Sequence, residues 1–180
     1  NVTIKSFEMP GDDPNGGILV ELGTVLVSPS PVGVQLGTIK MQIGYDGVNL
    51  GLVSAEGITL SQGDNEIKLK GTLVPQTDET ALTKVGTLCS NYVGGKMSQT
   101  EATGVSAAPD GTNSIGWLSE GFQSVRLNVG LGAGKPLDII KSVDLGYLDL
   151  TFNKDKPYSP LLAAPNVVAG FQIPFGFSIN

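Results

Sequence analysis

The chain contains no histidine and one cysteine, Cys89, and only one of its 11 basic residues, Arg126, is an arginine. Each shortage closes off a class of chemistry. A serine or cysteine nucleophile has no imidazole to activate it, and no G-x-S-x-G elbow occurs. One cysteine forbids an intramolecular disulfide, and with histidine missing the usual zinc ligand sets cannot be assembled. Nucleic-acid binding needs clustered basic residues to neutralise phosphate; here Lys+Arg 11 stand against Asp+Glu 17, a net charge of −6. Aromatic residues are only 6% and scattered, so no planar platform for a sugar stands out. No run approaches the roughly 20 apolar residues of a membrane-spanning helix.

What is present points to β structure. Hydrophobic content of 40% with Gly 25 and Pro 11 suits many strands and turns, and 180 residues can bury a sizeable core. The organising stretch is Ile18–Leu52. Val20, Leu22, Thr24 and Leu26 alternate with the residues between them, the period of a half-buried strand. Pro29 and Pro31 remove two backbone donors and end central pairing. Val32, Val34 and Leu36 resume the alternation, but beyond Gly37 the apolar set is Ile39, Met41 and Ile43. That change of parity predicts a bulge at Gly37. Tyr45-Asp46-Gly47 then supplies turn chemistry.

Around this stretch, Val2–Met9 reads as a first strand and residues 10–17 as a loop. Val48–Val53 reads as a short strand, followed by Gly57–Leu60 and a turn at Gln62–Asn65. Ile67, Leu69, Gly71 and Leu73 face one way and Glu66, Lys68, Lys70 and Thr72 the other, an amphipathic strand. Between Glu79 and Val93, Leu82, Val85, Leu88, Cys89 and Tyr92 recur at helical steps, predicting one amphipathic helix capped by Thr77 or Asp78 and closed by Gly94-Gly95. Cys89 on that stripe reads as a small buried hydrophobe. Lys96–Val105 reads as a weaker polar strand, Ser106–Asn113 as a loop, Trp117–Phe122 as a helical turn plugging the core, and Ser124–Leu131 as a strand. Ile139–Phe152 changes parity near Gly146–Leu148, predicting a second bulge. Odd positions from Val167 to Ile179 are apolar, predicting a long last strand, an edge or bulged at Pro174.

Several apparent motifs dissolve on inspection. Gly130–Lys135 lacks the first glycine and the Ser or Thr of a phosphate loop, since Val129 and Pro136 stand there, and reads as a turn. Asp12, Asp13, Asp46 and Asp64 follow no calcium-loop pattern and read as solvated charge. No stretch sets paired carboxylates beside sugar-holding rings, so no catalytic, cofactor or metal residue is assigned and the chain reads as not an enzyme. Asn1-Val2-Thr3 has the form of an N-glycosylation acceptor, making Asn1 a candidate site. A chain starting at Asn1 reads as a mature, processed or excised piece.

Ser28-Pro29-Ser30-Pro31, Leu36-Gly37, Tyr45–Gly51, Gln62–Asn65 with Leu69-Lys70-Gly71, Trp117-Leu118 and Pro174–Phe177 together resemble a fungal family of AsmA-like domains of unknown function. That family is related to late-embryogenesis-abundant type 2 (water-stress and hypersensitive-response) domains. The resemblance spans most of the chain and rests on no single diagnostic motif; Ser28 stands where the family has asparagine. It implies a mainly β, antiparallel immunoglobulin-like β-sandwich with the short helix around 79–93. It further implies one domain over 1–180, its last strands (about 141–180) belonging to or pairing with a following repeat. The implied setting is a larger secretory-pathway or membrane-anchored protein facing the outside of the cell or an organelle lumen such as the vacuole. Two functions then compete. One is a non-catalytic structural or interaction module meeting neighbouring domains or protein partners through its sheet edges. The other is binding of a lipid or other apolar ligand between the sheets, lined by Phe171, Phe175, Phe177, Leu148, Leu150 and Trp117; ordinary core is the competing reading of those residues.

Overall fold

The computed structural model describes residues 2–164, 166–172 and 175–176. The chain divides into two compact units, one of Asn1–Pro136 with Phe175–Asn180 and the other of Leu137–Pro174. The fold is mainly β and antiparallel, as the sequence pattern predicts.

The first unit runs β1 (Val2–Glu8), β2 (Ile18–Ser28), β3 (Val34–Tyr45), β4 (Val48–Leu60), β5 (Gly63–Leu73), α1 (Glu79–Val93), β6 (Ser98–Ala108), α2 (Gly116–Gln123) and β7 (Arg126–Leu131). Its strands form one sheet in the order β1-β2-β5-β4-β3-β6-β7, every neighbour antiparallel. The sheet curls until β1 and β7 approach each other, with Ile4 and Phe7 of β1 in the same cluster as Leu131 of β7. It is nearly closed.

Local chemistry explains the strand boundaries. The proline pair ends β2 and carries the chain across to β3, which pairs with β4 and β6 and not with β2. Gly37 sits at φ 65, and the register on both its neighbours shifts there. A Cβ at Gly37 would collide with the Ala108 carbonyl, so only glycine fits this bulge. On either side of it, Leu36 and Ile39 are both buried, which is the parity change seen in the sequence. Asp46 and Gly47, at φ 49 and 78, form the two-residue turn whose twist matches a hairpin.

The β4–β5 hairpin forks. The two strands pair only where Gly51–Ser54 face Leu73–Lys70. Beyond that, β4 stays with β3 and β5 with β2, and Val53, Ala55, Ile58, Ile67 and Leu69 fill the space between as core. β4 is therefore continuous from Val48 to Leu60, longer than its apolar run suggests. The buried Asn65 side chain holds the end of the fork. Its Nδ2 donates to the carbonyls of Ser61 (2.8 Å), Gly63 (3.0 Å) and Leu26 (3.3 Å), and its Oδ1 accepts from the Ser61 amide at 2.8 Å.

Helix α1 has the expected limits. Asp78 Oδ2 accepts from the Ala81 amide at 2.9 Å, and Gly95 follows at φ 72. Its buried stripe is Ala81 and Leu88 with Val85 and Tyr92 half-buried, so Leu82 and Cys89 are exposed, contrary to the expected stripe. β6 is a central strand, not a marginal one, and runs on to Ala108. Its polar residues Ser98 and Thr100 are buried with partners: Asn91 Nδ2 donates to Ser98 Oγ at 3.1 Å, and Thr100 Oγ1 donates to Val129 O at 2.8 Å. α2 lies on β6. Ser119 Oγ meets both the amide and carbonyl of Ala107 at 3.3 Å, and Leu118 and Phe122 pack on the core.

The second unit holds β8 (Ile140–Leu145), β9 (Asp149–Asn153), β10 (Lys156–Ala163) and β11 (Val167–Phe171). β8 pairs with β11 and β9 with β10. Gly146 N donates to Asn166 O at 2.9 Å between the two pairs, and Gln172 N donates to Ile139 O at 2.8 Å at the base. The unit is thus one long two-stranded hairpin with an interruption. The expected single strand over Ile139–Phe152 is two strands separated at Gly146–Leu148. The expected long last strand ends at Phe171, where its partner β8 begins; Ile173, Pro174, Phe177 and Ile179 lie outside the described residues. Nothing in the sequence periodicity marked β10.

Replacing Asn65 by Asp tests the fork. The carboxylate would face three carbonyl oxygens with no hydrogen to donate, so Asn65→Asp should lower unfolding stability by about 2 kcal/mol or more. Urea titration with an unchanged slope reads this directly.

Candidate functional site

Among the described residues, two surfaces bear on function. One is the hairpin of the second unit, in which no described residue is buried. Register places Leu145 opposite Val167 and Val143 opposite Ala169, with Phe171 opposite Ile140. Opposed residues of an antiparallel pair share a face, so the face of Val143, Leu145, Val167 and Ala169 is apolar while the other is mixed, carrying Ser142 and Asp144 with Val168 and Gly170. The β9–β10 pair repeats the pattern with Leu150 opposite Leu162 and Phe152 on the same face. These side chains are open: Phe171 is 65% exposed, Phe152 67% and Leu162 64%. Lys141, beside this face, is engaged by Asp138 at 3.0 Å.

Of the residues expected to line an apolar ligand site, Leu148, Leu150 and Phe171 lie exposed on this second unit. Trp117 lies in the first unit on α2, 74% exposed. Phe175 is also in the first unit, its ring 6.3 Å from that of Tyr92, which meets Phe7 edge-on at 5.2 Å. Phe177 and the glycosylation candidate Asn1 lie outside the described residues.

The other surface is a shallow open depression of about 220 Å³ in the first unit, lined by Gln42, Gly44, Gly47, Val48, Asn49, Glu101, Thr103 and Arg126. β6 and β7 bring Thr103 opposite Arg126, whose Nη1 donates to Thr103 Oγ1 at 3.4 Å. Next to it, the Asp46-Gly47 turn is tied to Lys84 of α1, which donates to the Asp46 carbonyl at 2.8 Å and pairs with its carboxylate at 3.1 Å. This volume is smaller than the several hundred Å³ of a drug-sized ligand pocket, and its lining is polar. Sequence reading did not single it out; the one signal was that Arg126 is the sole arginine.

Titratable groups with shifted values have structural causes. The Thr72 hydroxyl donates to Asp13 Oδ2 at 2.5 Å and the Asn15 amide to Oδ1 at 2.8 Å, which together hold the Asp13 carboxyl below its ordinary range. Asn113 and Thr112 do the same for Asp110. The Glu21 carboxylate at 2.8 Å raises Lys70. Desolvation raises the Cys89 thiol although the residue is exposed, which leaves it a weaker nucleophile than a free thiol. Among the described residues no group of His, Cys, Asp or Glu is arranged to hold a metal ion.

The Asp13 shift carries a sign. A folded pKa below the ordinary 3.8 gives stability that is present above that value and lost as pH falls through the lower folded value. Acid unfolding of Asp13→Asn should therefore be less steep in that low-pH window than that of the parent, with curves converging at lower pH. Parallel curves throughout would show that the Thr72 contact contributes nothing.

Compared with family models, with curated proteins and with solved structures, the chain finds no match in any of the three.

Proposed function

We propose that this chain is a non-catalytic interaction module in which the first unit is the scaffold and the hairpin of the second unit presents an apolar surface to a partner. One observation carries the reading. A two-stranded ribbon is marginally stable alone, yet this one directs Val143, Leu145, Phe152, Leu162 and Phe171 outward instead of into a core. Contiguous exposed apolar surface on an otherwise well-packed protein marks an interaction site. The near-separation of the sheet into β1-β2-β5 and β4-β3-β6-β7, joined only across Gly51–Ser54, supports an immunoglobulin-like sandwich for the scaffold. In this reading the module belongs to a larger secretory-pathway or membrane-anchored protein, and its partner is a neighbouring domain.

The test is stability against substitution. Side chains with no packing partner cost little to change, so Val143→Ser, Leu162→Ser and Phe171→Ser should each shift unfolding stability by within about 0.5 kcal/mol. The same changes at covered positions would cost about 2–4 kcal/mol, and that result would overturn the reading. Native mass spectrometry of the parent chain adds a second arm. A non-covalent excess of lipid size that vanishes on denaturation would assign the surface to an apolar ligand instead of a protein.

A further inference from the structure

Asn15-Gly16 is the one Asn-Gly step in the sequence, and both residues are exposed. In such a step hydroxide takes the proton of the glycine backbone nitrogen, which attacks the asparagine Cγ. The N–Cγ bond closes a five-membered succinimide, and the bond from Cγ to the side-chain nitrogen breaks as that nitrogen takes a proton from water and leaves as ammonia. Water then opens the ring at either carbonyl, leaving aspartate or isoaspartate. Glycine favours the attack because no Cβ stands beside its nitrogen.

We propose that Asn15 is the chain's first site of spontaneous succinimide conversion and that Asp13 sets its rate. Asp13-Pro14-Asn15-Gly16 is a β-turn with proline in its favoured second position, and Gly16 N donates to Asp13 O at 2.9 Å. Asp13 Oδ1 accepts from both Asn15 N at 2.8 Å and Asn15 Nδ2 at 3.3 Å. Nucleophile and leaving group are therefore both tied to one residue, which Thr72 in turn anchors to β5. Reaction requires the Gly16 amide to leave its bond and the Asn15 carboxamide to rotate toward it. The Asp13 carboxyl, held ionised, offers the departing ammonia no proton.

Conversion would be felt beyond the turn. It adds a negative charge to a chain already at −6. The isoaspartate product also inserts a methylene into the backbone two residues before Gly17, which lies at φ 103 so close to β5 that a Cβ there would meet the Leu73 carbonyl.

The experiment is peptide mapping by mass spectrometry of the intact chain, Asp13→Ala and Asn15→Gln after incubation at neutral and mildly alkaline pH. The Asn15 peptide should be the first to show amide-to-acid exchange, faster at the higher pH. Asp13→Ala keeps the backbone bond to Gly16 N but frees the Asn15 carboxamide and the turn's tie to Thr72. It should convert roughly threefold to tenfold faster, the ratio expected for losing the bond that restrains the carboxamide. Asn15→Gln should leave that peptide unchanged. Conversion of another asparagine first would overturn the site, and equal rates in the parent and Asp13→Ala would overturn the gate.

Discussion

Six antiparallel steps lead from β1 to β7, so these two edges run in the same direction and cannot zip together as an antiparallel ladder. Much of the first unit follows from that constraint. Side chains bridge the two edges: Ile4 and Phe7 of β1 and Leu131 of β7 share a cluster with Leu50, Leu88 and Tyr92. Elsewhere the curl is taken up by the β4–β5 fork, where two consecutive strands pair only at Gly51–Ser54 and Leu73–Lys70, away from their connecting turn, and otherwise serve opposite halves. The buried Asn65 carboxamide ties the carbonyls of Leu26, Ser61 and Gly63 together at the end of the fork.

The two units contrast in how apolar residues are used. In the first, Val20, Val53 and Ala107 are almost wholly buried, and the sheet encloses its own core. In the second, comparable residues are as regular in sequence but have nothing to enclose, because a single ribbon has only one layer and a core needs two. Within the first unit, two residues that flank the hairpin segment in the chain lie at the C-terminal end of α1. Pro136 lies against Gly95, and Phe175 against Tyr92.

Much of the scaffold was legible in the sequence because two local signals agreed. Period-two alternation fixed the faces of β2 and β5, and proline or glycine fixed where strands stopped or bulged, Gly37 above all. The limits of α1 were likewise written in Asp78 and Gly94. Its buried stripe was not, because Ala81 and Leu82 compete for the same face and only the position of the sheet decides. β6 reads as polar, yet Ser98 and Thr100 are buried since partners far along the chain satisfy or cover them. The last strand read as long because its alternation is long, whereas a ladder ends where its partner does, at Ile140. The Arg126 depression depends on four strands meeting and has no local signature.

The claim most exposed to test is that a self-sufficient scaffold carries a hairpin without a core of its own. Hydrogen exchange by mass spectrometry on the isolated chain addresses it directly. The account predicts amides of β2, β3, β4 and β5 protected to near the global unfolding limit, and amides of β8 to β11 exchanging through local opening orders of magnitude faster. Protection of the hairpin equal to that of the sheet would contradict it, showing that its apolar face is already covered within the chain.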